Sequence, residues 1–226
     1  MSIKSGATVY SATGGEGSAG EVNIKTAELI VQDGGQISAG TFGEGQGGNL
    51  TIDATSSIKL IGGNTVDRRL NSGLFAVQNT PGEAGKGNAG NLTINTPLLQ
   101  VLNGAQVSAG TSGAGQGGNL AINATSSIEL IGVNIVDSRF TSGLSAVQRT
   151  SGFAGTGNAG NLIINTPLLR VLDGAAVSAG TNGAGRGGDL KITTNQLLVR
   201  NAQIRARSTG TGSAGNLTIN AKTPSI

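Results

Sequence analysis

The sequence repeats itself with a period of 70 residues, and this repeat constrains the fold more than any other feature. The segment that begins at Gly48 returns at Gly118, and the segment that begins at Gly90 returns at Gly160. Within this period a shorter element, Gly-(Asn/Glu/Asp)-(Leu/Val)-x-Ile, recurs at alternating intervals of 28 and 42 residues, with a last interval of 27. Its copies begin at Gly20, Gly48, Gly90, Gly118, Gly160, Gly188 and Gly215. Repeats of this length predict a solenoid, in which each repeat forms one coil that stacks on the next.

Each interval between these elements is interpreted as one coil of a single β-solenoid that spans residues 1–226. The 42-residue coils are 28-residue coils that carry 14 additional residues, which we place in loops on one edge of the solenoid: 62–71 with 79–89, and 132–141 with 149–159. The predicted divisions are a partial coil 1–19, coils 20–47, 48–89, 90–117, 118–159, 160–187 and 188–214, and a partial coil 215–226.

Inside each coil, apolar residues occupy alternate positions, which is typical of β-strands. The coil that starts at Gly90 is predicted to contain three short strands, at 92–95, 98–102 and 106–111. The residues that we expect to face the interior of this coil are Leu92, Ile94, Leu99, Val101, Val107 and Ala109. The prediction is therefore an all-β protein, a parallel β-helix of roughly triangular section whose coils bury their apolar side chains against one another.

Asparagine or aspartate recurs at one position after the first strand of most coils. Side chains of this kind, stacked at successive turns, can form hydrogen bonds from coil to coil. An ordinary turn that favours asparagine, with no such bonds, is the alternative. The residues of this predicted turn ladder are Asp53, Asn95, Asn123, Asn165 and Asn220.

One outward position near the end of the second strand is aliphatic in successive coils. A row of exposed aliphatic side chains is a candidate contact site for a partner. The alternative is that the loops of the 42-residue coils fold over it. This predicted contact stripe consists of Ile30, Ile61, Leu102, Ile131 and Leu172.

The motif G-x-G-x-x-G occurs seven times, the first copy starting at Gly15. A dinucleotide-binding loop with this motif opens a helix, whose N-terminus meets the pyrophosphate. Here every copy precedes a predicted strand, so we interpret these glycines as corners of the solenoid. We expect no cofactor.

Composition argues against catalysis and metal binding, because the chain contains no cysteine and no histidine. It has no thiolate ligand, no catalytic triad and no usual general base. The acidic residues that could act as catalytic carboxylates are scattered. Asp33 and Asp173 occupy equivalent turns, but the turn between them has Asn103. The other candidates are isolated: Glu28, Glu129, Asp67 and Asp137. We therefore predict no catalytic residue, no metal site and no enzyme, and a carbohydrate-active enzyme is a less favoured alternative.

Two further classes of binding are disfavoured by the surface that the repeat predicts. The net charge of +3 comes without clustered basic residues and with only 2% aromatic residues, so we expect no nucleic-acid partner. A flat row of hydroxyls would suit an ice-binding protein, but the corresponding row is interrupted by an aromatic and a basic residue: it reads Ser38, Phe75, Ser108, Ser145, Ser178 and Arg205.

The segments Gly-Asn-Ala-Gly-Asn-Leu-Thr-Ile-Asn at 87–95 and Gly-Ala-Gln-Val-Ser-Ala-Gly-Thr-Ser-Gly at 104–113 resemble a known repeat. It is the β-strand repeat of filamentous haemagglutinin-like proteins of two-partner secretion systems, especially large cyanobacterial surface proteins. The resemblance covers about residues 20–226. It implies a right-handed helix, export through an Omp85-type outer-membrane partner, and an extracellular or cell-surface adhesin or matrix role.

The chain departs from this family pattern in lacking a signal peptide and a secretion domain, so we interpret it as an internal or C-terminal repeat piece. The predicted function is a non-catalytic structural or adhesive rod of a secreted or cell-surface protein. A module that binds a surface glycan or a protein on the same scaffold is the alternative. Unpaired strand edges at the two ends also predict head-to-tail self-association.

Overall fold

The computed structural model describes residues 1–63, 71–77, 86–133, 141–148 and 156–222. In these residues the secondary structure is entirely β. The strands are Ser2–Ile3 (β1), Thr8–Thr13 (β2), Val22–Gln32 (β3), Gln36–Thr41 (β4), Leu50–Ile61 (β5), Gly73–Phe75 (β6), Leu92–Leu102 (β7), Gln106–Ser108 (β8), Leu120–Ile131 (β9), Gly143–Gln148 (β10), Leu162–Leu172 (β11), Ala176–Thr181 (β12), Leu190–Arg200 (β13), Gln203–Ser208 (β14) and Leu217–Ala221 (β15).

The described strands form two parallel sheets that wind together as one β-solenoid. The eight-stranded sheet has the order β1-β3-β5-β7-β9-β11-β13-β15, and the seven-stranded sheet has the order β14-β12-β10-β8-β6-β4-β2. Every strand pairs with the corresponding strand of the next coil, and all of these pairings are parallel. The predicted all-β solenoid is therefore confirmed.

The coils differ from the prediction in the number of their strands. The first two predicted strands join into one long strand, such as Leu92–Leu102, so that a coil contains one long and one short strand. The register between neighbouring coils slips where the two predicted strands meet, for example from Asp53↔Asn95 to Ser57↔Leu98. The pairing is interrupted over these few residues, and the strand resumes in the same sheet on the other side.

The core is formed by the inward side chains that the alternation predicts. All six inward residues of the coil 90–117 are fully buried, and so are those of the coil 160–187. The residues at the register shift add a further inward row of threonine and alanine. Thr96 and Thr166 of this row are buried, and the hydroxyl of each donates a hydrogen bond to the carbonyl two residues ahead, at 3.2 Å. Fully burying one Leu, Ile or Val contributes about 1.5–3 kcal/mol, so stability accumulates coil by coil.

A two-residue turn with positive φ angles connects the long strand to the short one in the 28-residue coils. Asn103 has φ 54° and Gly104 has φ 89°, and the same pair of angles recurs at Asp173 and Gly174. Asparagine and aspartate tolerate this left-handed conformation better than other non-glycine residues. The positive φ angle therefore explains why this turn has an aspartate or an asparagine in each of these coils.

Candidate functional site

The predicted turn ladder forms a continuous line of side-chain hydrogen bonds over four of its five residues. The amide of Asn95 donates to Asp53 at 2.8 Å, Asn123 donates to Asn95 at 2.9 Å, and Asn165 donates to Asn123 at 2.9 Å. The fifth residue, Asn220, is in the same row but is separated from Asn165 by Thr193. The ladder lies inside long strands rather than at a turn, because the predicted first and second strands are continuous.

A second ladder, which the sequence analysis did not predict, starts one residue before the long strands. The Asn91 side chain accepts the backbone N–H of Asn119 at 2.9 Å, and Asn119 in turn accepts the backbone N–H of Asn161 at 2.9 Å. The sequence signal was present, since this is the second residue of the repeated Gly-(Asn/Glu/Asp)-(Leu/Val) element. Its members are Glu21, Asn49, Asn91, Asn119, Asn161, Asp189 and Asn216.

The glycines of the G-x-G-x-x-G motifs stack into two columns along the solenoid. A Cβ atom added at Gly118 would overlap the carbonyl oxygen of Gly90, and one added at Gly115 would overlap that of Gly87. The motif leads into strands, as predicted, and its glycines leave room for the backbone of the adjacent coil. The columns are Gly17, Gly45, Gly87, Gly115, Gly157, Gly185 and Gly212, and Gly20, Gly48, Gly90, Gly118, Gly160, Gly188 and Gly215.

The predicted contact stripe is shorter than expected, and Ile30 does not belong to it. Ile61, Leu102, Ile131 and Leu172 pair in one row, whereas Ile30 pairs with Lys59 in the row two residues earlier. Alternate residues of a strand share a face, so the sequence pattern did not distinguish these two outward positions.

Burial also weakens the case for this stripe as a contact site. Its residues are half-buried, except for Leu172, which is 8% exposed. Polar Gln32 and Arg200 continue its row at the two ends. The part of the loops that could cover it, residues 64–70 and 134–140, lies outside the described residues. The aliphatic side chains of this row are therefore mostly buried.

Glu129 and Asp173 are engaged separately, each with neighbours from an adjacent coil. Glu129 accepts a hydrogen bond from Gln100 at 2.9 Å and lies 3.4 Å from the guanidinium of Arg170, and Asp173 lies 3.2 Å from that of Arg200. The described residues contain no group of three or more acidic or other metal-ligating side chains that could hold a metal ion. Asp67 and Asp137 lie outside the described residues.

The outer face of the seven-stranded sheet carries aromatic, hydroxyl and cationic side chains. In its central row, which is in register from coil to coil, two aromatic residues alternate with serines before a run of serines that ends at an arginine. The hydroxyl row considered for ice binding therefore exists in the predicted order, with Tyr10 added at one end. The row reads Tyr10, Ser38, Phe75, Ser108, Ser145, Ser178 and Arg205.

A groove of about 480 Å³ opens on this face over β10, β12 and β14. Two arginines of β14, Arg205 and Arg207, line it together with Ser178 and Asn182. The hydroxyl of Ser145, which also lines the groove, is buried and has no hydrogen-bond partner. The sequence analysis missed this groove because its residues come from four different coils and share no motif.

Comparison with protein-family models, curated proteins and solved structures found no match to this chain. In the described part of the chain, no helix has the length and apolar character that crossing a bilayer requires.

Proposed function

We propose that this chain is a non-catalytic rod segment of a secreted or cell-surface protein, similar to the repeat region of filamentous haemagglutinin-like adhesins. The observation that carries the proposal is the regularity of the contacts between coils. The ladder through Asn91 and the two glycine columns run from the first complete coil to the last. Such contacts suit a chain whose role is to extend a stiff structure, because each coil needs only its neighbours.

The distribution of polar side chains further supports a structural role over an enzymatic one. A glycosidase brings two carboxylates to one place on either side of the scissile bond. In the described residues, Glu129 and Asp173 are each occupied by a partner from a neighbouring coil. The binding of a glycan or a protein on the same scaffold is the second candidate, and the groove beside Arg205 and Arg207 favours it.

The resemblance in the repeat supplies the cellular setting of this proposal. Two-partner secretion proteins leave the cell through an Omp85-type outer-membrane partner, so we propose extracellular or cell-surface localisation and this partner for the full-length protein. Right-handed winding belongs to the same proposal. A solenoid whose coils contact only their neighbours can form progressively as it emerges from a pore, which fits this route.

The test is to display the chain behind a two-partner secretion domain, together with its Omp85-type transporter, on a non-adherent bacterium. We expect surface exposure by protease accessibility and increased attachment to cells or extracellular matrix. The control is Gly118→Val, which places a side chain against the Gly90 carbonyl and disrupts stacking. Export without any gain in attachment or matrix retention would contradict the adhesive role.

The enzymatic alternative is tested with the purified chain on plant and bacterial polysaccharides. We expect no release of reducing ends or unsaturated products. Turnover that one substitution such as Glu129→Gln abolishes would overturn the proposal of a non-catalytic rod. The Asn220→Ala variant serves as a control, since Asn220 lies outside the bonded part of its ladder.

A further inference from the structure

The two 42-residue coils differ at one place on the outer face of the seven-stranded sheet. In the coil 48–89, the ring of Phe75 lies over Gly73, so that a Cβ atom added at Gly73 would lie 2.6 Å from the Cζ atom of Phe75. In the coil 118–159 the equivalent residues are Gly143 and Ser145, which pair with the same neighbours, Gln106 and Ser108.

Among the described residues, no ring occupies the corresponding place over Gly143. The atoms nearest to a Cβ added there belong to the backbone of Ala176 and Thr141. The groove of about 480 Å³ is lined by Gly143 and Ser145 at this point. Within the part of the chain that the structure describes, the place that an aromatic ring fills in one coil holds no ring in the other and borders the groove.

The same groove is cationic on the side that faces the C-terminal coil. Arg205 and Arg207 both point outward from β14, because alternate residues of a strand share a face. The guanidinium of Arg205 is positioned by Gln203 at 2.6 Å and Ser178 at 3.4 Å. Arg207 has no hydrogen bond or ion pair with another described residue, and the described lining contains no aspartate or glutamate. The described residues that line the groove thus do not compensate its charge.

We propose that this groove binds an acidic sugar residue of a polysaccharide, with its pyranose ring over Gly143 and its carboxylate against Arg205 and Arg207. A six-membered ring fits this place in the sister coil, where the ring is that of Phe75. The planar guanidinium of arginine donates two parallel hydrogen bonds to a carboxylate. Ser178 and Asn182 supply polar groups for the sugar hydroxyls.

An acidic peptide is the main competing ligand, and the lining of the groove disfavours it. Peptides usually bind by pairing with a free strand edge or by inserting an apolar side chain into a pocket. Of the three strands under the groove, β10 and β12 are paired on both sides, and Ser178, Asn182, Thr141 and Thr209 make its wall polar. The inference deepens the proposed adhesive role and rests on it for its setting, but binding by the purified chain is measured independently of export.

The experiment is calorimetric titration of the purified chain with trigalacturonate, and with neutral trigalactose as the comparison, at fixed salt. We expect binding of trigalacturonate only. The double variant Arg205→Gln/Arg207→Gln removes the charged donors, and Ser145→Phe places a ring where the sister coil has one. The arginine variant should weaken binding about tenfold or more, which is the usual effect of losing a hydrogen bond to a charged group. Ser145→Phe should weaken it as well, because its ring takes the place proposed for the sugar.

Two matched controls separate the groove from general charge and general packing. Lys191→Gln/Lys222→Gln removes the same charge from outside the groove. Phe75→Ser opens the sister position, whose paired neighbours in the described strands, Ser38 and Ser108, are not arginines; neither variant should change the affinity. Circular dichroism verifies folding of every variant. Equal binding of the neutral sugar, equal loss in the lysine variant, or stronger binding of hexaglutamate than of trigalacturonate would overturn the proposal. An absence of binding would overturn it too, without affecting the proposed rod.

Discussion

The glycine columns predict that a single methyl group inside the solenoid has a large effect, whereas the same methyl group at its end has almost none. In the interior, a Cβ atom at Gly115 would overlap the carbonyl oxygen of Gly87. At the start of the same column, an added Cβ at Gly17 would meet nothing within 4 Å. Neither glycine has a positive φ angle, so backbone strain does not distinguish the two substitutions.

The size of the effect follows from the contacts around Gly115. To accommodate the methyl group the two coils must separate locally, which strains the bonds from Ala89 N–H to the Gln116 carbonyl and from Gln116 N–H to the Asn88 side chain, both 2.8 Å. Overpacking destabilises by about 1–3 kcal/mol, and each hydrogen bond contributes about 0.5–1.5 kcal/mol. Because alanine restricts the unfolded chain more than glycine does, the substitution also stabilises the folded state by about 0.4–1 kcal/mol. Gly115→Ala should therefore lower the free energy of unfolding by about 2–4 kcal/mol, whereas Gly17→Ala should leave it unchanged or raise it slightly.

The assay is urea unfolding followed by circular dichroism, combined with amide hydrogen exchange at Ala89 and Gln116. Exchange is needed because solenoids can open locally, and it reports the affected coils directly. The exposed neighbour Gln116→Ala is an interior control that keeps both backbone bonds, and it should leave stability nearly unchanged. If Gly115→Ala is as stable as Gly17→Ala, with unchanged exchange, the steric explanation of the columns is refuted.

Three further predictions concern the ladder, the turns and the ends. Asn123→Ala removes two side-chain bonds and should destabilise by about 1–3 kcal/mol in urea unfolding, whereas Asn220→Ala should not; equal losses would contradict the ladder. Asn103→Val should destabilise by about 1–2 kcal/mol and Asn103→Gly by clearly less, since φ is 54° there; a tolerated valine would remove the conformational argument. The edge strands β2 and β14 predict head-to-tail association of the solenoids. Opposite charges favour it, since Glu16 and Glu21 lie near one end and Arg205 and Arg207 near the other. The association should be strongest at low salt and weaken near 0.15 M salt, where the Debye length is about 8 Å. Analytical ultracentrifugation that finds a monomer at high protein concentration and low salt would contradict this last prediction.

The sequence was sufficient to predict the parts of the fold that depend on periodicity. Alternation with period two identified buried residues such as Leu99 and Val107, and the recurrence of glycine identified positions that stack from coil to coil. A solenoid is favourable for such prediction, because one correct interpretation of a coil transfers to all the others.

Features that depend on register between coils were less accessible. The pattern alone placed Ile30 in the row of Ile61, because both are outward and aliphatic and the rows lie only two residues apart. It also divided the long strands after Asn95, because asparagine is typical of turns. The groove was not predictable from the sequence, because its lining residues come from four coils and meet only in three dimensions.

The alternation of short and long coils makes the 70-residue unit a module for changing the reach of the rod. The bonds of the ladders and the carbonyl contacts of the glycine columns join only adjacent coils, so an additional copy meets the same partners at both of its junctions. One unit contributes two coils and lengthens the stack by about 10 Å. Gene duplication can thus extend such a protein in discrete steps, while the exposed residues of each copy diverge independently, as Phe75 and Ser145 have done.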